Sequence, residues 1–330
     1  MKRSHRTLPP SITDPGLATK VLSTVRKSRL KVTTQVMTLR VHTDDRPTGA
    51  HGLKGSALSD LRVHHLNCAH IKGVSVGGLP LACNVLLVET ARHGLVLVDS
   101  GLGTADYADI SSRLGFGFAK LLARPTVDPA LAAVRQVAAL GFDPHDVRHV
   151  VQTHLDLDHV GGLSDFPWAA VHVHAAELKA ATDRHGVKAR ARYRPKMWAH
   201  SPAWETYSDE GEPWLGFESI RQLRDLPEDI FFVALPGHTL GHCGVVVNTS
   251  NGLLLDAGDA FFDPREVNGP KRQLGLPVRL FEAIVTTDKL LRVHNQNRLR
   301  ELVASHPEVT VFAAHDPTWT WGGAQVRAHQ

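Results

Sequence analysis

Cysteine is scarce: Cys68, Cys83 and Cys243 are the only three in 330 residues. They are too few and too scattered for a disulfide framework, which fits a reducing cytoplasm, the expected location. Long apolar runs are also missing. No stretch approaches the roughly 20 residues of a membrane span, so no membrane partner is expected. The basic N-terminus is followed by no apolar core of a secretory signal. Residues 1–54 contain no Phe, Trp or Tyr, and so offer nothing to stack on nucleic-acid bases. Gly101-Leu102-Gly103 is followed by no Gly-Lys-Ser/Thr, which excludes a phosphate-binding loop of that type.

The formal charge of +4 divides unevenly. Residues 1–54 hold eleven Lys/Arg against three Asp, whereas the remaining 276 hold 26 against 30. The body is mildly acidic, which argues against nucleic acid as a partner. The sequence therefore predicts a basic extension over 1–54, read as a solvated tail or as residues preceding a true start at Met37. The catalytic domain is expected over 55–330. Its composition, 42% hydrophobic and 21% charged, is that of a globular chain.

Apolar runs at Arg62–Asn67, Asn84–Glu89, Gly94–Asp99, Val147–Gln152, Ala170–His174, Ile230–Leu235, Cys243–Asn248, Leu253–Asp256 and Val309–Ala313 predict strands. Helical spacing predicts helices at Asp128–Leu140, Ala175–Ala181 and about Leu280–Ala304. Strands in two groups with helices between them imply a layered α/β architecture. Residues 185–228 are too aromatic for a linker and too irregular for an element. They read either as a lid or pocket wall, or as a surface excursion packing its own aromatics. The basic run Arg190, Arg192, Arg194 and Lys196 within them is read as a solvated face in preference to an anion site.

What is abundant is histidine, 21 residues in all. The segment Thr153-His154-Leu155-Asp156-Leu157-Asp158-His159-Val160-Gly161-Gly162 places four potential ligands within six residues at the end of an apolar strand. Two imidazoles and two carboxylates so close are costly to bury unpaired, and a divalent cation removes that cost. Imidazole suits Zn, Fe and Mn, while carboxylate favours the harder ions. Three later strands also end in ligand-type residues: His238 in Pro236-Gly237-His238-Thr239, Asp259 in Asp256-Ala257-Gly258-Asp259, and His315 in Ala313-Ala314-His315. His242 is read as a hydrogen-bond partner rather than a ligand, His172 and His174 as strand histidines, and Cys243 as core. His64 and His65 face opposite sides of their strand.

The succession of His-x-Asp-x-Asp-His, Gly-His-Thr, Gly-Asp and a terminal Ala-His resembles the metallo-β-lactamase-fold hydrolases over about residues 62–318. Asp99 matches the early Asp-x-Gly turn of that family. The resemblance implies a four-layer αββα sandwich with a dinuclear site at one edge. One metal would be held by His154, Asp156 and His238, the other by Asp158, His159 and His315, with Asp259 between them. It also implies a small-molecule substrate whose ester, lactone, thioester or related acyl bond is cleaved by a hydroxide held between two divalent metals, with Asp158 as the catalytic carboxylate. Zn is the first expectation.

Two departures from the family pattern bear on this. Asp156 stands where most family hydrolases have histidine; it lowers the site's charge by one and admits Fe or Mn. Within the superfamily the chain looks most like the N-acyl homoserine lactonases, which place a tyrosine near the metals, yet Phe261 and Phe262 follow Asp259 here. Tyr193 or Tyr207 are the candidates to replace that hydroxyl. The alternatives are a mononuclear iron dioxygenase of the same fold, a phosphodiester hydrolase, or a metal-binding module without turnover. The oligomeric state is left open.

Overall fold

A computed structural model describes residues 61–208, 211–217, 220–269 and 274–321. The expected extension over 1–54 lies outside the described residues. Among the described residues, eleven strands form two sheets: β1 (Arg62–Val76), β2 (Leu79–Glu89), β3 (Leu95–Val98), β4 (Val147–Val151), β5 (Ala170–His174) and β6 (Ala203–Tyr207) in one, and β7 (Ile220–Gln222), β8 (Ile230–Ala234), β9 (Cys243–Thr249), β10 (Gly252–Asp256) and β11 (Val309–Phe312) in the other. The first sheet runs in sequence order, antiparallel through β3 and parallel from β3 to β6. The second has the order β11-β10-β9-β8-β7, with only β10 and β11 parallel.

Alternation along each strand sorts its side chains to two faces, and here both faces are buried. Leu86, Val88, Val96 and Val98 of the first sheet pack against Ile230, Phe232, Val245 and Val247 of the second. Their neighbours Val85, Leu87, Leu95 and Leu97 face outward, under the helical layer that includes Tyr107, Ala133, Val137 and Ala181. On the far side, Phe231, Val233, Val246 and Leu255 pack against Leu299 and Leu302. Three cores thus separate four layers, helix–sheet–sheet–helix. Two-sided burial explains why these strands read as continuous apolar runs. Leu97 is fully buried in the first outer core, and Leu97→Ala is expected to lower unfolding stability by about 2–5 kcal/mol in a urea titration.

The helices are α1 (Thr104–Ala108), α2 (Ile110–Leu114), α3 (Ala133–Ala139), α4 (Leu157–Val160), α5 (Ala175–Asp183), α6 (Gly186–Arg192), α7 (Leu276–Val285) and α8 (Lys289–Ser305). Two expectations change here. The helix predicted over Asp128–Leu140 is a tight turn at Pro129–Leu131 followed by α3, because the Asp128 carboxylate caps the turn and Ala132 is extended. The long helix near Leu280–Ala304 is α7 and α8, broken at Thr286-Thr287-Asp288. Thr286 is extended, and the Asp288 side chain accepts from the backbone N–H of Leu290 and Leu291, starting a new helix. The break holds the loop after β8: Thr287 and Asp288 donate backbone N–H bonds to Gly237 O at 3.1 and 2.8 Å. Gly237 must be glycine, since a Cβ there would lie 2.3 Å from the backbone nitrogen of Arg292.

Residues 185–228 do not form one unit of their own. They supply α6, the sixth strand of the first sheet and the edge strand of the second. Their aromatics are shared out accordingly: Trp198 and Trp204 against the first outer core, Tyr207 in the inner core, Trp214 against the second outer core. Among the described residues, no helix is long and apolar enough to cross a membrane.

Candidate metal centre

The predicted ligand residues lie beyond the C-terminal ends of β4, β8, β10 and β11. After β4 the chain runs through His154 to Asp156, whose carbonyl accepts from His159 N at 3.0 Å and so starts the single turn α4 that carries Asp158 and His159. The glycines following it let the chain lie flat on the loop after β3. A Cβ on Gly162 would sit 2.4 Å from Ser100 O, and one on Gly161 would overlap the Asp106 carboxylate.

The side chains of His154, Asp156, His238 and Asp259 converge, as do those of His159, Asp259 and His315. Oδ2 of Asp259 lies 3.8 Å from His154 Nε2 and 3.4 Å from His238 Nε2. Its Oδ1 lies 3.3 Å from the Nε2 of both His159 and His315. Asp156 Oδ2 is 2.9 Å from His238 Nε2 and 3.6 Å from His154 Nε2. Asp158 Oδ2 is 3.5 Å from His315 Nε2. All seven side chains are buried except Asp156, which is 15% exposed.

The surroundings aim the imidazoles. Asp99, in a left-handed backbone conformation at φ 60°, accepts from His159 Nδ1 at 2.7 Å and from Thr153 N and Oγ1 at 2.8 and 2.9 Å. His315 Nδ1 donates to Ala82 O at 2.6 Å. Each bond places the proton on Nδ1 and leaves the Nε2 lone pair facing the centre. His242 keeps the partner's role expected for it: Nδ1 donates to Leu235 O at 3.0 Å and Nε2 accepts from Asp259 N at 2.9 Å. Burial, with His238 beside it, pushes His242 down to about 3.

The charges are strongly coupled. Burial, followed by His159, holds His154 well below the ordinary imidazole value. Burial also opposes charge on His159, but Asp259 and Asp99 outweigh it and raise that group well above its usual value. Asp259 would be raised by burial, yet His315, His159 and His238 hold it far below the carboxylate range. Burial raises Asp158.

Two buried polar atoms that face the centre have no hydrogen-bond partner: His154 Nε2 and Asp259 Oδ1. His159 Nε2 and His315 Nε2 face each other at 3.4 Å. Such an arrangement is expensive without a cation. The nitrogen and carboxylate donors fit Zn, Fe or Mn.

Three neighbours of the centre escape sequence reasoning. Glu177, fully buried in the first turn of α5, accepts from Leu155 N at 3.0 Å, Gly241 N at 3.2 Å and Tyr193 Oη at 3.1 Å, tying the His154 loop to the His238 loop. Its only sequence signal is a position in a helix-forming run. Arg192 departs from the solvated face expected of its run; Arg190 and Lys196 are exposed, but Arg192 turns inward and its Nε lies 3.2 Å from Asp156 Oδ1. Against the effect of burial, Arg192 holds Asp156 well below the carboxylate range. Cys83 Sγ lies 4.0 Å from His315 Nδ1, and burial pushes its thiol up to about 12.

Neither tyrosine named as a replacement hydroxyl is available. Tyr193 is bonded to Glu177, and Tyr207 is bonded to His172 Nδ1 at 2.7 Å and to Arg224 N at 2.9 Å. The remaining tyrosine, Tyr107, donates to Cys68 O at 2.8 Å. Phe262 stacks on the His315 ring at 5.5 Å and meets His238 edge-on at 6.0 Å. His172 pairs with His149 at 3.0 Å, His174 caps α5, and His64 and His65 bond Glu89 and Asn84. Cys243 lies in the inner core.

The metallo-beta-lactamase superfamily model matches residues 78–315. A probable metallo-hydrolase of Mycobacterium tuberculosis is 40% identical over 258 residues, covering 78% of this chain and 81% of the relative. The N-acyl homoserine lactonase AttM of Rhizobium radiobacter is 29% identical over 207 residues, 58% of this chain and 67% of its own. Among solved structures, an N-acyl homoserine lactone hydrolase with N-hexanoyl-L-homoserine bound at its metal centre aligns with a TM-score of 0.57 at 20% identity, over 79% of this chain and 94% of that one. At that identity the likeness shows the fold alone. With the four layers, the order of the motifs and the matched span in agreement, the chain belongs to the metallo-β-lactamase superfamily, a family of metal-dependent hydrolases.

Proposed function

We propose that this protein hydrolyses an ester, lactone, thioester or related acyl bond of a small molecule with two divalent metals, Zn first, with Fe or Mn admitted by Asp156. His154, Asp156 and His238 would hold one ion, and Asp158, His159 and His315 the other. The observation that carries this reading is the division of Asp259, whose two oxygens each face a different set of imidazoles. The lactonase relatives favour an acyl bond. Bound there, two ions would supply Lewis acidity and an activated water nucleophile. The chain's own groups do the rest: Asp99 and Ala82 O fix the imidazole tautomers, and Glu177 holds the two ligand loops in register. Asp158, buried beside His315, is the carboxylate placed to take a proton and return it near the leaving group. Every tyrosine hydroxyl is engaged elsewhere, so none is placed to meet the developing oxyanion, a charge that bound ions would offset.

Elemental analysis of protein purified from cells supplied with Zn, Mn or Fe tests this. About two divalent ions per chain is expected, with ester or lactone turnover that a chelator abolishes and added metal restores. A single iron per chain with oxygen consumption would replace the hydrolase reading by oxygenase chemistry. Two metals with turnover confined to bis(p-nitrophenyl) phosphate would replace the acyl bond by a phosphodiester.

A further inference from the structure

Arg192 ends α6 with its side chain only 9% exposed and brings a permanent positive charge to a centre otherwise built of ligands. Its guanidinium is held on all sides. Nε faces Asp156 Oδ1 at 3.2 Å; Nη1 donates to His238 O at 3.0 Å and to Thr287 Oγ1 at 3.3 Å; Nη2 donates to Val285 O. These anchors lie on the His238 loop and at the junction of α7 and α8, so the group cannot swing away without breaking several bonds.

The two oxygens of Asp156 are thereby divided. One faces the arginine, and the other faces His238 and His154. This is also the one position where the chain carries an aspartate in place of a neutral imidazole ligand. We propose that Arg192 is a positioning residue acting through Asp156: it occupies one carboxylate oxygen and cancels the carboxylate's charge. The first cation position then carries the net charge it would have with histidine at 156. The inference rests on the reading that Asp156 ligates a metal.

The full chain, its Arg192→Gln, Arg192→Lys and Asp156→His variants, and the Asp156→His/Arg192→Gln double variant are compared by Zn2+ competition against a chromophoric chelator. Unit charges a few ångströms apart in a partly buried site shift affinity by about tenfold or more. Arg192→Gln should bind the first Zn2+ at least about tenfold more tightly, and its metal-free form should melt at lower temperature because a buried carboxylate has lost its partner. Asp156→His alone, with Arg192 unopposed, should bind at least about tenfold more weakly. The double variant should return to the parent's affinity, and Arg192→Lys should stay near it. A purely structural arginine would instead make the double variant the weakest binder; that order, or loosened binding in Arg192→Gln, overturns the proposal. A parent that takes up no zinc at this position overturns the hydrolase reading as well. A parent that takes up two ions while the variants keep the wrong order overturns the pairing alone.

Discussion

Asp259→Ala is expected to reduce bound metal from about two ions per chain to one or none, and to lower turnover at least about a thousandfold, near the loss of the whole two-metal contribution. The size follows from geometry. Four imidazole nitrogens lie 3.3–3.8 Å from this one carboxylate, so its removal leaves both halves of the centre without their shared anion. The fold should survive, because the bond that places this residue, from its backbone N–H to His242 Nε2 at 2.9 Å, does not involve the side chain. Circular dichroism and elemental analysis on one preparation separate the two effects. Full activity with two metals per chain would show that Asp259 does not join the sites. Asp259→Asn keeps the shape and removes the charge, and is expected to fall between the parent and the alanine variant in metal content.

The second large effect is expected at Asp158. This carboxyl lies on the one-turn helix α4, 3.5 Å from His315 and within the same buried pocket, where burial raises its pKa. Asp158→Asn is nearly isosteric and leaves six of the seven proposed ligand side chains in place. A proton-transferring group contributes about a hundredfold to ten-thousandfold, so kcat should fall by at least about a hundredfold while KM moves little. Metal content must be measured alongside. A variant that keeps its metals and near-parent kcat removes Asp158 from the proton path, and one that loses its second metal assigns the residue to ligation alone.

The motif around His154 was legible because its chemistry is local: four ligand-type residues within six positions are costly to bury in any role but ligation. The strand ends carrying His238, Asp259 and His315 were legible for a related reason, since two-sided burial turns each strand into an apolar run and throws the following polar residue into relief. His242 could be read as a partner because it lies four residues beyond His238. Less was visible where two assignments share one local pattern. The helix predicted near Leu280–Ala304 is continuous in its spacing, and only the docking of Thr287 and Asp288 on the His238 loop shows why it breaks. Residues 185–228 have irregular spacing because they feed both sheets and all three cores rather than forming a unit with its own periodicity.

Sequence alone determined the family, the layered α/β class and the seven residues that meet at one edge, because strand periodicity and ligand spacing are properties of short segments. Tertiary structure alone decided how the charges at that edge are balanced. Arg192 follows Asp156 by 36 positions in a run of basic residues, and nothing in that run distinguishes it from Arg190 or Lys196; only the seating of α6 against the His238 loop turns it inward. Tyr193 and Tyr207 likewise read as candidate hydroxyls until packing placed each against a partner. Coulomb interactions and hydrogen bonds act over a few ångströms of space, whatever the separation along the chain.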